Sequence, residues 1–292
     1  MPHHVTVGLD GSPESSAAAE WAAREALLRE VPLRLVHADE WPVSAAIPVA
    51  GPDVRRRWAD ELLAAAAEEL RQEYPSLEIS TRRLSGRPAA ALSIEAAEAD
   101  LLVLGSRGLS GVMGFLLGSV GMETIGATER PVVLVRAPGQ PGGRTEAAPE
   151  GRFGGVVVGV DIHHSCDPLL DFAFDEAARR GVRLRAVYGW SLPPFARDAS
   201  ALAAAEREMS PDIARRLTHI LAPWRQKFPS VEVVERSPIG APSQLLVHAA
   251  ADAELAVVGR RIRRSPLGAH IGSVAHAVIH HCAAPVAVVA HD

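Results

Sequence analysis

The sequence predicts an α/β protein of two tandem, doubly wound domains, each a five-stranded parallel sheet flanked by helices. Three observations carry that prediction. The chain repeats itself: "HVTVGLDGS" from His4 answers "GVVVGVDIH" from Gly155, and "VPLRLVHADEW" from Val31 answers "VRLRAVYGWS" from Val182, both at an offset of 151 residues. Each copy alternates short β-rich apolar runs with longer alanine-rich amphipathic stretches, the order that builds parallel strands joined by right-handed crossovers. Runs such as "LLVLG" are apolar throughout, as strands covered on both faces must be.

The first strand runs from Val5 to Leu9. The helix after it opens at "SPES", where Ser12 supplies a capping oxygen and Pro13 takes a position that needs no N–H. Strands follow at Leu33 to His37, Glu78 to Arg82, Leu101 to Leu104 and Val132 to Val135, with helices near Val54 to Glu73, Pro88 to Ala97 and Gly118 to Thr128. Further on, "SGRPAAALSIEAAEADLLVLGSRG" answers "IGAPSQLLVHAAADAELAVVGRRI" at an offset of 154, so three extra residues lie in the middle of the second copy. "PVVLV" at Pro131 and "PVAVV" at Pro285 close the two copies. The stretch from Ala137 to Gly151, rich in Pro, Gly and charge, reads as a linker. The expected division is therefore a first domain at 1–137, a linker at 138–151 and a second domain at 152–292.

Composition narrows the function classes. At 292 residues the chain has room for two cores, and 48% hydrophobic with 22% charged residues is the balance of a soluble globular protein. A net charge of −5 argues against a nucleic-acid partner, which needs clustered positive charge. Of the 30 basic residues only Lys227 is lysine, a bias to which no function attaches. Two cysteines, Cys166 and Cys282, make no disulfide framework and suit a reducing compartment. With no signal-peptide pattern and no apolar run near the ~20 residues that span a bilayer, the expectation is a cytoplasmic protein without membrane contact.

In doubly wound sheets ligands gather at the carboxyl ends of the strands, where strand order reverses. If the first and fourth strands are neighbours there, Asp10 faces the loop after Gly105. That loop, "LGSRGLSGVMGFLLGSV", ends one strand and opens a helix at "GSV". Its glycines permit close backbone approach and positive φ, and its free N–H groups with the helix dipole suit an anion. Ser119 adds a hydroxyl. The spelling lacks the lysine of a Walker A loop, and the first strand is not followed by GxGxxG. A glycine loop after a strand is by itself as well explained by the fold.

The full pattern is more specific. Gly105-x-x-Gly108, nine residues, then Gly118-Ser119 resembles the G-2x-G-9x-G-[ST] signature of the nucleotide-binding branch of the universal stress protein family. The likeness extends to "VGLDGS", "LVHA", "GRPA", "ADLLVLGSRG" and "RPVVLV", and covers nearly the whole chain as two copies. It implies Rossmann-like domains that hold ATP, with or without Mg2+. The phosphates would lie on Gly105, Ser106, Arg107 and Gly108 and on Gly118, Ser119 and Val120, with Asp10 near the adenosine, Ala38 in the adenine pocket and Gly8 leaving room beside it. Read alone, Asp10 is also an ordinary turn former before a helix, and Arg107 an ordinary solvated loop residue.

In the second copy the corresponding positions are Gly159, Asp161, Gly189, Gly259, Arg260, Arg261, Gly272, Ser273 and Val274. This copy departs from the pattern. Ile262 stands where the family has glycine, and a β-branched residue resists positive φ. "DIHHS" replaces the "DGS" motif. Arg260, Arg261, Arg263 and Arg264 surround the loop, so either guanidinium groups compensate or the site has moved to another anion or partner. A solvated charge run explains them as well.

Other chemistry is weaker. His276, His280, His281 and Cys282 share a helix but lack metal-site spacing. Cys166 beside Asp161 is a candidate reactive thiol but better read as a buried or incidental one, and His37 and Tyr188, equivalent in the repeat, are read as parts of the fold. No nucleophile with a base or paired carboxylates emerges, so no catalytic residue is assigned and no enzyme is expected beyond, at most, weak ATP hydrolysis. The expectation is an ATP-binding regulator of a stress response. A slow ATPase or nucleotidyl-transfer enzyme, a cyclic AMP binder and a nucleotide-independent scaffold are the alternatives. The resemblance also implies pairing of last strands between domains, a homodimer and a regulatory protein partner.

Overall fold

The computed structural model describes residues 3–39, 51–106, 119–137, 154–193, 195, 198–262 and 271–292. They form two compact units. The first holds β1 (Val5–Gly8), α1 (Pro13–Arg29), β2 (Leu33–Asp39), α2 (Pro52–Glu73), β3 (Ile79–Ser85), α3 (Pro88–Glu98), β4 (Leu101–Gly105), α4 (Ser119–Ala127) and β5 (Val132–Val135). Its strand order is 3-2-1-4-5, parallel throughout. Winding reverses between β1 and β4, which pair from Val5↔Leu101 to Gly8↔Leu104. Helices α1 and α2 pack together, as do α3 and α4, and the reversal sends the two pairs to opposite faces.

The second unit holds β6 (Val156–Gly159), α5 (Asp167–Arg180), β7 (Leu184–Val187), α6 (Ala199–Glu208), α7 (Ser210–Lys227), β8 (Val233–Arg236), α8 (Pro242–Ala249), β9 (Leu255–Arg261), α9 (Ser273–His281) and β10 (Val286–His291). Its order, 8-7-6-9-10, is again parallel and reverses between β6 and β9. The three extra residues of this copy fall where the first has one helix, α2, and the second has two. Pro211 in the first turn of α7 forces the break: it has no N–H to donate to the preceding turn and its ring crowds that turn's carbonyl.

Alanine decides how closely α1 lies on its sheet. Ala18, Ala19, Ala22, Ala23 and Ala26 are at most 4% exposed and recur at helical spacing, so the helix presents almost no side-chain bulk to the strands. Its ends are fixed locally. Ser12 accepts a hydrogen bond from the Ser15 N–H at 3.2 Å, and Glu30 stops the helix in the left-handed region at φ 55°. In the second unit Gly181 occupies the equivalent stop at φ 64°.

A buried ionic cluster ties α3 to the sheet. Glu95, 2% exposed, accepts from Arg34 at 2.7 Å and from Arg82 at 2.9 Å. Ala249 takes the Glu95 position in the second unit, where Arg185, the counterpart of Arg34, donates to the Ala249 carbonyl at 2.8 Å.

Candidate functional site

Both units place an aspartate at the switch point, just beyond the end of the central strand. In the first unit Asp10 Oδ1 accepts from the Ser12 N–H at 3.0 Å and from the Ser12 hydroxyl, closing a turn that leads straight into α1. Helix α1 therefore starts three residues after the aspartate. Its first turn lies so close to the end of β4 that a Cβ on Gly105 would come within 2.6 Å of the Glu14 carbonyl carbon and 2.7 Å of the Ser15 nitrogen. Glycine is needed at 105 by this helix, whatever else the strand end does. Gly8 is similarly confined, with Leu104 Cδ2 at 2.8 Å and Leu92 Cδ2 at 3.4 Å from the site of a Cβ.

Ala38 pairs with Leu84 on β3 at the same end of the sheet. Beside it His37 makes a 2.7 Å hydrogen bond with the Leu9 carbonyl and meets the Trp58 ring edge to face at 5.3 Å. Ser106 is 2% exposed, and its N–H donates to the Val135 carbonyl at 2.7 Å. Val120 lies in the first turn of α4, which begins at Ser119. Arg107, Gly108 and Gly118 lie outside the described residues.

The second unit departs in the turn after Asp161. In "DIHHSCDP" the proline that opens the helix, Pro168, comes later than Pro13 does in the first copy, so α5 starts six residues after Asp161. The turn that covers Gly105 has no counterpart over Gly259. There a Cβ would meet the His291 ring instead, with Nε2 at 2.5 Å, and Leu169 at 3.3 Å. A cavity of about 400 Å³ opens at this strand end. Gly159, Asp161, Gly189, Gly259, Arg261, Gly272, Ser273 and Val274 all line it.

Arg260, also expected at the site, does not line the cavity. Successive residues of a strand face opposite sides, so with Arg261 turned into the cavity Arg260 is buried away from it at 4% exposure. The pattern follows from Ile262. Instead of bending into a loop at the glycine-equivalent position, β9 runs straight through Arg261, and the Ile262 N–H donates to the His291 carbonyl at 2.7 Å. Among the described residues Glu30 is the only non-glycine with positive φ, so Ile262 avoids that conformation.

Sequence reasoning missed several lining groups. Tyr188, expected only as part of the fold, lines the cavity and is hydrogen-bonded to His163 at 3.1 Å. Burial pushes the Tyr188 hydroxyl above its ordinary pKa and the Asp161 charge adds to the rise, which keeps the proton on. His291 left no sequence signal because the last strand reads as ending at "PVAVV", whereas β10 continues to His291. Leu246 and Val258 make part of the apolar lining.

Asp161 anchors the polar side. It accepts from the His163 N–H at 2.9 Å, His164 Nδ1 at 3.0 Å and Arg261 Nη2 at 2.7 Å. Burial alone would raise its pKa, but these three hydrogen bonds and the charge of His164 outweigh it and hold the carboxyl below its ordinary value. Cys166 follows the expectation of an inert thiol: it is 2% exposed, and burial together with the Asp161 and Asp167 charges pushes its pKa up to about 11. Among the described residues no three His, Cys, Asp or Glu side chains are placed to hold a metal ion. No helix among them is long and apolar enough to cross a membrane.

Fold and site together define a class: duplicated, doubly wound α/β proteins with an aspartate at the switch point of each unit and, in the second, a cavity at that strand end. The universal stress protein family model matches residues 1–136 and again 153–290, and the chain belongs to that family. Relatives are duplicated in the same way. Universal stress protein Rv2005c of Mycobacterium tuberculosis is 32% identical, with 98% of this chain and 96% of that protein aligned. Universal stress protein Rv1996 of the same organism is also 32% identical, over 97% of this chain and 94% of its own. Among solved structures, a universal stress protein from Archaeoglobus fulgidus matches with a TM-score of 0.68 at 18% identity, covering 99% of this chain and 98% of that one.

Proposed function

We propose that this protein is an adenine-nucleotide-binding regulator within its family, taking ATP at the first unit through the loop from Gly105 to Val120. The observation that supports this most directly comes from the second unit, where the positions aligned with the expected nucleotide contacts, Arg260 and Ile262 excepted, line one cavity of about 400 Å³. That size is in the range of small-molecule sites, and its mix of apolar floor and convergent polar groups suits a nucleoside. Gly8, Asp10, Ala38 and Gly105 occupy the matching strand ends of the first unit. In this reading Gly105, Ser106, Arg107 and Gly108 with Gly118, Ser119 and Val120 hold the phosphates, and Asp10 holds the ribose or base edge. The domain limits 1–137 and 152–292, a cytoplasmic location, a homodimer and a regulatory protein partner belong to the same proposal.

The role is binding rather than turnover, and ATP is taken with or without Mg2+. Signalling requires that nucleotide favour one of two states, so the decisive quantity is occupancy. The test is acid release of bound nucleotide from the purified protein, with calorimetric titration of ATP, ADP and cyclic AMP. At least one ATP per chain, with a loss on Gly118→Val, is the expected outcome. A protein that takes up none of the three nucleotides refutes the reading, and metal-dependent turnover well above background that disappears in Asp10→Ala refutes the non-enzymatic part.

A further inference from the structure

We propose that Arg261 selects for charge in the second cavity: it rests on Asp161 until a phosphate-bearing ligand draws it away, so this site takes phosphorylated nucleosides and discriminates against the uncharged nucleoside. The inference rests on the reading that these strand-end cavities take adenine nucleotides, and adds which part of the ligand the second one reads.

Placement comes first. Arg261 and Asp161 meet across the switch point, one from the end of β9 and one just past β6, at 2.7 Å. The arginine is aimed by a strand rather than a loop, because β9 stays paired to β10 as far as Arg261↔His291. Its side chain is 36% exposed and that of Asp161 35%, so the pair faces a cavity that ligand can enter. Gly272, Ser273 and Val274, at the start of the nine-residue helix α9, line the same space. An anion there meets a guanidinium and helix N–H groups together.

The acceptor side is crowded. Asp161 Oδ1 is taken by the His163 N–H, while Oδ2 is shared between His164 and Arg261. A ligand hydroxyl can donate to this carboxylate easily only when Arg261 leaves it.

Exchange of partners is favourable for an anion. Breaking an ion pair of this exposure costs a factor of up to about five in binding. A charge-assisted bond from arginine to phosphate returns roughly 10- to 150-fold. Adenosine offers no such return and must bind with the pair intact.

The test uses the full chain carrying Gly118→Val, which removes binding at the first unit, and calorimetric titration with AMP and with adenosine. Arg261→Met is expected to weaken AMP by about tenfold or more and not to weaken adenosine, whose hydroxyls gain access to Asp161. Asp161→Asn is expected to tighten AMP by about two- to fivefold, because it frees the arginine and removes a like charge. Arg261→Lys keeps the charge but not the forked donor, and an intermediate AMP affinity is expected of it; it also serves if Arg261→Met does not fold by circular dichroism. Equal losses for AMP and adenosine in Arg261→Met overturn the proposal, and so does weaker AMP binding in Asp161→Asn. If the wild type binds ATP but the Gly118→Val protein binds no AMP, this proposal fails while the first-unit reading stands. If the wild type binds no nucleotide, both fail.

Discussion

Gly105→Ala and Gly259→Ala add the same methyl group at the same position of the repeat, yet the two units predict different costs. At 105 the new carbon would sit 2.6 Å from Glu14 C, 2.7 Å from Ser15 N and 2.8 Å from Glu14 O, all backbone atoms of the first turn of α1. Comfortable contact between such atoms needs about 3.5 Å, so the turn must move by roughly 1 Å. That turn continues into the alanine stripe packed on β4 and β5, which cannot follow without opening voids. The cost belongs at the top of the range for overpacking, about 3 kcal/mol. At 259 the nearest obstacles are His291 Nε2 at 2.5 Å and Cδ2 at 2.8 Å, the far end of a side chain beside a cavity. The ring can rotate into that space, so about 1 kcal/mol is expected. Each kcal/mol lowers the melting temperature of a protein or domain of 150–250 residues by about 2–4 °C, which gives losses near 6–12 °C and 2–4 °C. Thermal and urea unfolding of both variants beside the wild type, followed by circular dichroism, measures the contrast. If Gly259→Ala proves as destabilising as Gly105→Ala, the argument from close approach of α1 is wrong.

Three further outcomes follow from single observations. Glu95→Ala removes the buried carboxylate that Arg34 and Arg82 share but leaves Glu98 within 3.6 and 3.3 Å of them, and should cost about 1–3 kcal/mol in urea unfolding; a loss under about 0.5 kcal/mol would show the cluster to be dispensable. Glu30→Gly relieves a non-glycine residue held at φ 55°, a position that Gly181 fills in the other unit, and should stabilise by about 0.5–1 kcal/mol, with a lowered melting temperature as the contrary result. Cys166, with its pKa raised to about 11, carries only about one thiolate in 3,000 at pH 7.5, so a thiol reagent should label it in urea and not in the folded protein; rapid labelling of the native chain would contradict the burial argument.

How far the sequence could be read depended on how local the controlling interactions are. The strands of the first copy and the caps at Ser12 and Pro13 were legible, and the pairing of β1 with β4 meets the condition on which the sequence placed Asp10 opposite the loop. Apolar runs, a capping hydroxyl and an N-terminal proline act on residues a few positions away, and the repeat supplies each signal twice. The second-copy positions that line the cavity were reached by alignment of the repeats, since an offset carries a position from one sheet to its equivalent in the other. Alignment could not report that Arg260 and Arg261 face opposite ways. That depended on β9 continuing as a strand past Gly259, which the β-branched Ile262 favours and pairing with β10 stabilises.

The sequence by itself therefore determined the duplication, the order of elements in the first unit and the family. Tertiary structure alone decided why Gly105 must be glycine, because its constraint comes from Glu14 and Ser15, some ninety residues away in the chain and in contact only after α1 has packed. It also decided that the second unit carries an open cavity. The late start of α5 is written in the position of Pro168, but the space this leaves, the turn of His291 into it and the meeting of Arg261 with Asp161 arise only when three strand ends come together. Periodicity and spacing describe what a segment prefers; close approach between distant segments is set by the packing of the whole unit.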